Sequence, residues 1–286
     1  MISQAEFSIR QAVRESLQEA ADPLPNFLGI NDPAAERCYL QYLEPTYFRT
    51  IHDIVHFFNF SPDAKERRIL EIGSYMGVVC VTLRKLSFQV YAQDIPEFIE
   101  NPVIAERLRQ NQIPTAALYL DKGTLPWESR FFDAVIMCET LEHLNFNPLP
   151  TLHEINRVLK PGGLLYLAVP NHAEIGKRLR LLRGGSAYGP IQSYFKQLDP
   201  SCNMIVGLHW REYTARELRE MLEPLGFLIQ RQYWFSLPES EEKTSLLKRF
   251  KALLHAAIPS FRPNITTLAV KSSESSLPLR PLVAPR

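Results

Sequence analysis

Three observations predict an α/β fold with a doubly wound, mostly parallel seven-stranded sheet. From Arg67 onward short apolar runs alternate with helical patterns, the order that builds a parallel sheet with helices on both faces. The first run, 68–72, passes through Gly73-Ser-Tyr-Met-Gly77 into a helical stretch and on to a second run ending at Asp94. Strand, glycine-bearing turn, helix and strand with a terminal carboxylate form half of a nucleotide-binding α/β unit. A long excursion separates the last two runs, so the last strand is expected to be antiparallel.

The bulk properties agree with a folded domain. The chain has 286 residues, 45% hydrophobic and 22% charged, enough to bury a sizeable core in one domain with appendages. A formal net charge of +1 gives no global field for nucleic acid or a membrane surface. Cys38, Cys80, Cys138 and Cys202 are widely spaced with no Cys-x-x-Cys. That disfavours a zinc ribbon or a disulfide framework, and free thiols in a reducing cytoplasm are expected. The start, Met-Ile-Ser-Gln-Ala-Glu-Phe, is too polar for a signal peptide, and no apolar run approaches a bilayer's span.

Residues 1–66 read as a helical N-terminal extension, or lid. Ile9, Val13 and Leu17 recur at i+4, and Pro23 and Pro25 stop that helix. A second helix over 44–58 places Phe48, Ile51, Ile54, Val55 and Phe58 on one side. With Tyr39, Tyr42, Tyr47 and Phe57 nearby, this aromatic density can roof a pocket or simply pack on the sheet. The main domain is expected over 67–272, with strands at 68–72, 89–93, 116–120, 132–137, 164–169, 227–234 and 265–271. Leu149, Leu152, Ile155 and Val158 mark a helix stopped by Lys160-Pro-Gly-Gly163, the lysine in its last turn. Thr214-Ala-Arg-Glu217 is a capping-box pattern opening a helix with Leu218, Met221 and Leu222.

Two insertions, 172–208 and 237–262, are expected to cover the site. Each holds a basic amphipathic stretch, Lys177-Arg-Leu-Arg-Leu-Leu-Arg183 and Leu246-Leu-Lys-Arg-Phe-Lys251. Such stretches either contact an anionic substrate or membrane surface or pack on the body with a solvated basic face. The Pro- and Ser-rich 273–286 read as a flexible tail.

In order, the motifs resemble class I S-adenosylmethionine-dependent methyltransferases with a Rossmann-like sheet. Leu70-Glu-Ile-Gly-Ser-Tyr-Met-Gly77 is similar to that family's first motif, Asp/Glu-x-Gly-x-Gly-x-Gly. Asp94 stands where the family has its ribose-binding acid. Asp121 with Leu125-Pro-Trp127 and Phe132-Asp133 resembles the adenine-contacting stretch, and Glu139-Thr-Leu-Glu-His143 and Val158-Leu-Lys-Pro-Gly-Gly163 complete the series. The resemblance implies S-adenosylmethionine held by Glu71, Gly73, Ser74, Tyr75, Gly77, Asp94, Asp121 and Glu139. Physically, a glycine turn at a helix N-terminus offers N–H groups to a carboxylate, Glu71 can orient that turn, and Asp94 can accept from both ribose hydroxyls. Asp121 can accept from the adenine amino group. Tyr75 departs from the family's middle glycine: either its ring swings outward while its backbone serves normally, or cofactor affinity falls.

In doubly wound folds ligands sit beyond the carboxyl ends of the strands. Cys138, Glu139, Glu142 and His143 after the fourth strand, Pro170, Asn171 and His172 after the fifth, and His209-Trp-Arg-Glu-Tyr213 are expected there. A helix start would put Glu139, Glu142 and His143 on one face. With His209 they are similar to the metal cluster of small-RNA 2′-O-methyltransferases and to the matching stretch of ubiquinone O-methyltransferases. The resemblance implies a divalent cation that lowers the pKa of a substrate hydroxyl. The alternative is that Glu142 and His143 brace the helix while Glu139 lines the cofactor pocket. Without metal, His143 or His209 is the candidate general base, or either is a structural hydrogen-bonding residue.

The fourth strand ends without an Asn/Asp-Pro-Pro-Tyr pattern, which disfavours methylation of amide or adenine nitrogen. No Pro-Cys follows it, which disfavours covalent attack on a pyrimidine, and Cys138 reads as a small buried residue. The stretch 180–190 with 209–214 resembles methyltransferases of bacterial polysaccharide and secondary metabolism. The expected function is O-methylation of a small-molecule, sugar or lipid-linked acceptor, with weak peripheral membrane contact open. Two alternatives stand beside it: a non-catalytic scaffold or cofactor sensor, and a nucleic-acid or protein methyltransferase.

Overall fold

The computed structural model describes residues 4–25, 33–59, 65–122, 124–198, 207–237 and 246–276. The strands are β1 (Arg68–Ile72), β2 (Gln89–Asp94), β3 (Thr115–Ala117), β4 (Phe132–Cys138), β5 (Leu159–Pro170), β6 (Phe227–Phe235) and β7 (Asn264–Lys271). They form one sheet in the order β3-β2-β1-β4-β5-β7-β6. β1 to β5 pair in parallel, and β7 runs antiparallel to both β5 and β6. The order reverses at β1, so the loops after β1 and β4 open on a shared crevice.

The helices are α1 (Gln4–Ala21), α2 (Pro33–Tyr42), α3 (Glu44–Phe57), α4 (Val78–Lys85), α5 (Pro96–Ile99), α6 (Pro102–Gln110), α7 (Leu149–Val158), α8 (Ile175–Leu182), α9 (Gln192–Gln197), α10 (Ala215–Leu222) and α11 (Leu246–Ala257). Strand alternation divides the core into two layers. Ile69, Val90, Ala134, Ile136 and Tyr166 face a cluster built with α1, α3, α4 and α6 through Ile9, Val13, Ile51, Ile54, Leu83 and Leu108. Leu70, Ile72, Val135, Met137 and Leu165 face the other layer, with Leu152 and Ile155 of α7 and Leu218 and Leu222 of α10. Fully burying each such side chain contributes about 2 kcal/mol. Thr214 caps α10 reciprocally with Glu217, as the pattern implies.

Four local expectations are corrected. The third strand stops at Ala117, and Leu120–Lys122 is a 3-10 turn; β3 is an edge strand that pairs only alongside Ala92–Asp94. β5 begins at Leu159, opposite Phe132, so Lys160 lies in a strand and not in the last turn of α7. The stretch after β4 is no α-helix start, because Leu141–His143 forms a 3-10 turn. Between the two expected N-terminal helices lies α2, which the periodicity does not reveal. Its only buried described side chain is Leu40, while Tyr39 and Tyr42 are exposed.

At the C-terminal end, Ser273 N–H donates to Gly226 O, and Glu274 pairs with Lys271 and Arg130; 277–286 and Cys202 lie outside the described residues. Among the described residues no helix is long and apolar enough to cross a membrane.

Lys160 has a structural partner. Its Nζ is 2.8 Å from Asp133 Oδ2, and the same carboxylate accepts from Arg68 N–H at 3.0 Å and Arg67 Nη1 at 3.1 Å. Burial alone would raise the Asp133 pKa, but these three donors outweigh it and hold the group below its ordinary value. A depressed carboxylate stabilises the fold above its unfolded pKa and loses that contribution as pH falls through the folded value. Asp133→Ala is therefore expected to cost about 2 kcal/mol in urea unfolding at neutral pH. The deficit should narrow below about pH 4, near the unfolded carboxylate pKa.

Candidate active site

The turn after β1 is fixed at both ends. Gly73 (φ 77°) and Gly77 (φ 76°) both adopt the left-handed conformation that glycine reaches at no steric cost. Gly73 N–H donates to Gln93 O at 2.8 Å, and Gly77 N–H donates to Ser74 O at 2.7 Å. A Cβ on Gly73 would lie 2.1 Å from Thr140 Oγ1, so the turn presses against the loop after β4.

Beneath the turn, the buried Glu71 carboxylate accepts from Cys80 N–H at 3.1 Å and Cys80 Sγ at 2.7 Å, tying β1 to the first turn of α4. Burial pushes Glu71 up to about 8. The Ser74 hydroxyl is buried with no hydrogen-bond partner among the described residues.

Tyr75 is itself left-handed, at φ 46°. Its N–H donates to Asp94 Oδ2 at 2.7 Å, while Ile95 N–H donates to Oδ1 at 2.8 Å. Burial pushes Asp94 up to about 6 against these two bonds. The Tyr75 ring lies edge-on to Phe98 of α5, at 5.2 Å between centroids, and its hydroxyl donates to Glu36 of α2 at 2.7 Å. The side chain thus runs between α5 and α2, and the backbone N–H remains aimed at the acid. Asp121 lies exposed on the 3-10 turn beyond β3. Trp127 packs into the second core layer against Tyr91 and Phe132.

The loop after β4 holds a second group of polar residues. Glu139 has φ 47°, and its N–H donates to Ala168 O at 2.9 Å. Burial pushes Glu139 up to about 7 and Glu142, which it faces, well above its ordinary value. Glu142 is fully buried; it pairs with the Glu139 carboxyl group, His143 Nε2 lies 4.0 Å from its Oε1, and no other described residue donates to its oxygens.

His143 and His209 approach edge to face at 5.0 Å between ring centroids. One ligand atom each from Glu142, His143 and His209 lies within 4.8 Å of the other two. Glu139, the fourth expected ligand, stands beside Glu142 but outside that group. Cys138 sits against Thr50, and burial pushes its thiol up, so it is no ready nucleophile.

The outward ring nitrogens are occupied. His143 Nδ1 is 2.9 Å from Leu208 O, which can only accept, so Nδ1 carries the proton and Nε2 is left with a lone pair. Burial, then His209, lowers His143 to about 4 and keeps it neutral. His209 Nδ1 is 3.0 Å from Glu212 Oε1. Glu212 also binds Lys177, whose Nζ donates to Asn171 O at 3.1 Å. Burial would raise Glu212, but the bonds from His209 and Lys177 outweigh it.

Lys177 is a site residue that pattern reading overlooks, and Glu212, inside the 209–213 stretch expected at the crevice, is given no role by it. Lys177 sits in a basic stretch that looks solvated yet is buried, and the only signal for Glu212 is its i+3 spacing from His209. Asn171 and His172 lie beside this group: Asn171 Nδ2 donates to Ser260 O and Arg262 O, and the His172 ring is 5.5 Å from Tyr188. Above, burial and then Glu139, Glu36 and Glu142 raise the half-exposed Tyr39. Helix α2 thus stands near both loops and is bonded to the first through Glu36 and Tyr75.

A family model described as a methyltransferase domain matches residues 42–232, about two thirds of the chain. The chain belongs to this family. It is a class I S-adenosylmethionine-dependent methyltransferase, and the seven-stranded order with β7 antiparallel is that fold.

Solved methyltransferases share the architecture at low identity. One from Methanosarcina mazei is 20% identical with a TM-score of 0.53, covering 77% of this chain and 98% of that one. A methyltransferase in complex with the Trm112 activator of Haloferax volcanii is 17% identical with a TM-score of 0.53, covering 82% and 93%. The magnesium protoporphyrin IX methyltransferase of Synechocystis, solved with bound SAH, is 15% identical with a TM-score of 0.51, covering 82% and 87%. At these identities the likeness is one of fold. A comparison with curated proteins finds no match.

Two outcomes test the methyltransferase turn. Gly73→Ala should weaken S-adenosylhomocysteine binding at least ~100-fold in calorimetry, because a clash with Thr140 adds to an unfavourable φ. Glu71 is raised from 4.5 to about 8, so its contribution to stability is complete below 4.5 and is lost as pH rises through about 8. The melting temperature of the unliganded protein should therefore fall across that window. Glu71→Gln should flatten the fall in a scanning-calorimetry series.

Proposed function

We propose that this methyltransferase transfers a methyl group to a hydroxyl oxygen of a small-molecule, sugar or lipid-linked acceptor. In this reading a divalent cation is held by Glu142, His143 and His209 beside Glu139. The observation that carries the reading is the Glu142 carboxyl group, fully buried beside Glu139 and within reach of two imidazoles. Burial keeps such a group protonated unless a positive charge stands beside it, and a cation on the two imidazoles would be that charge.

The donor set fits a cation. Two imidazole nitrogens and a carboxylate oxygen suit a transition-metal dication. Each Nδ1–H is anchored, to a carbonyl for His143 and to a carboxylate for His209, the outer-shell pattern that orients ligating histidines. When bound, such a cation supplies Lewis acidity that lowers the pKa of a hydroxyl.

S-Adenosylmethionine fits the other half of the crevice. The Gly73–Gly77 turn with the start of α4 offers N–H groups to its amino-acid carboxylate, and Asp94 offers acceptor capacity to its ribose hydroxyls. Glu71 holds the turn and α4 together, and Asp121 is assigned to the adenine side. When bound, this molecule supplies a methyl group activated by a sulfonium centre. The protein's own contribution is to hold the acceptor oxygen in line with that methyl group and to keep water out.

A second reading rests on the His209–Glu212 pair. Without a cation, Glu212 fixes Nδ1–H of His209, leaves Nε2 to take the hydroxyl proton, and stabilises the imidazolium that forms. The neutral His143 then serves to position His209.

One experiment separates the readings. Acceptor-library assays with labelled cofactor should show transfer to hydroxyl acceptors that is lost on chelation and restored by a divalent ion. Glu142→Gln should lower that rate at least ~100-fold with S-adenosylhomocysteine affinity unchanged. Indifference to chelator with sensitivity to His209→Ala selects the base reading. Absence of cofactor binding at millimolar ligand sinks both.

A further inference from the structure

The segment leading out of β5 is both basic and apolar at its surface. From Arg178 to Leu198 it carries Arg178, Arg180, Arg183 and Lys196 and no acidic residue. It also leaves aliphatic and aromatic side chains in solvent, among them Leu182 at 83%, Leu198 at 79% and Phe195 at 68% exposed. Scattered exposed leucines need no explanation, but a run of them interleaved with arginines on one end of a domain does.

The turn that ends the second insertion meets the same segment. The Arg178 guanidinium lies 5.2 Å from the Phe261 ring, just beyond α11, and Leu253 and Ile258 are exposed there. The end of the second insertion thus lies against the arginine-bearing segment through Arg178.

The face that this segment presents is continuous with the His209 group. Lys177, in the first turn of α8, is the buried partner of Glu212, which holds His209. Tyr194 of α9 lies edge-on to Trp210 at 5.7 Å, and Trp210 N–H donates to Glu142 O at 2.8 Å.

We propose that this face docks on an anionic lipid bilayer and that the acceptor is presented from that surface as a lipid-linked hydroxyl. The inference rests on the methyl-transfer reading above and narrows its acceptor class. Charge complementarity selects the occupant. Arginines beside exposed leucines suit phosphate headgroups above acyl chains, the composition of helices that lie in a membrane interface. A second copy of the chain would set each arginine against like charge. Nucleic acid would leave the aliphatic leucines without a partner, since single strands are bound by aromatic stacking and phosphate contacts.

The test is co-sedimentation of the full chain with phosphatidylcholine vesicles and with mixed phosphatidylcholine–phosphatidylglycerol vesicles, at low and high salt. Partition onto the anionic vesicles should exceed that onto neutral ones at least ~10-fold and fall with salt. The double variant Leu182→Asp/Phe195→Asp should lose at least ~10-fold of it. Arg180→Glu/Arg183→Glu should do the same, with S-adenosylhomocysteine affinity unchanged in both.

The proposal is overturned by equal partition onto both vesicle types, by variants that sediment like the wild type, or by binding to an RNA homopolymer in place of vesicles. A concentration-dependent dimer abolished by Leu182→Asp overturns it in favour of self-association. Vesicle binding without any affinity for S-adenosylhomocysteine overturns the methyl-transfer reading and leaves the docking face standing.

Discussion

The hydrogen bond from Tyr75 N–H to Asp94 Oδ2 is the constraint on which the crevice depends. It closes the turn after β1 onto the end of β2, and Gly73 N–H to Gln93 O repeats the closure one step earlier. With the turn pinned, α4 must start at Val78, and Glu71 is sealed beneath it with Cys80 as its donor. The same pin settles where the Tyr75 side chain goes. At φ 46° the ring leaves the turn toward α5, and the hydroxyl reaches Glu36, so α2 is tied to the turn by the residue that replaces the family's middle glycine. A left-handed non-glycine residue costs about 1 kcal/mol or more. Here the backbone bond to Asp94, the ring contact with Phe98 and the bond to Glu36 offset it.

A second strained residue answers the first across the crevice. Glu139 is left-handed at φ 47° and is held by its N–H bond to Ala168 O at the end of β5. Thr140, the next residue, fills the space that a side chain on Gly73 would need. The two loops are therefore interlocked, and neither can be repacked alone. Strain of this kind persists only where the surroundings over-determine it, and of the six left-handed non-glycine residues among the described ones these two flank the crevice where the order of strands reverses.

Sequence pattern carries far where one physical rule dominates. β1 is legible to the residue because a buried strand must stop where a left-handed glycine begins, and α10 is legible because Thr214 and Glu217 satisfy each other's orphan N–H groups. Legibility fails where several weak rules compete. Helix α2 buries so little that it leaves no apolar stripe. The loop after β4 has the i, i+3, i+4 spacing of a helix, but Glu139's backbone conformation and the 3-10 turn assemble the side chains another way. Glu142, His143 and His209 meet through tertiary structure: Trp210 N–H bonds to Glu142 O and His143 Nδ1 bonds to Leu208 O, across a separation that no local pattern encodes. Lys177 is hidden for the opposite reason, since its neighbours make it look like one more solvated cation.

Lys177 also shows how the surface and the interior of this methyltransferase are mechanically joined. A buried ion pair is a poor source of net stability, because desolvating both charges consumes most of their attraction. Its value lies in geometry: with Asn171 O as second acceptor, the ammonium has a fixed place at the end of β5. Glu212, bonded on one oxygen by Lys177 and on the other by His209, cannot turn without breaking one of the two. The orientation of His209 is thus set from the start of α8, the helix whose remaining turns face solvent with arginines and leucines. A displacement of α8 would reach His209 through two polar contacts. The exposed helix α8 is therefore directly coupled to the orientation of the His209 ring.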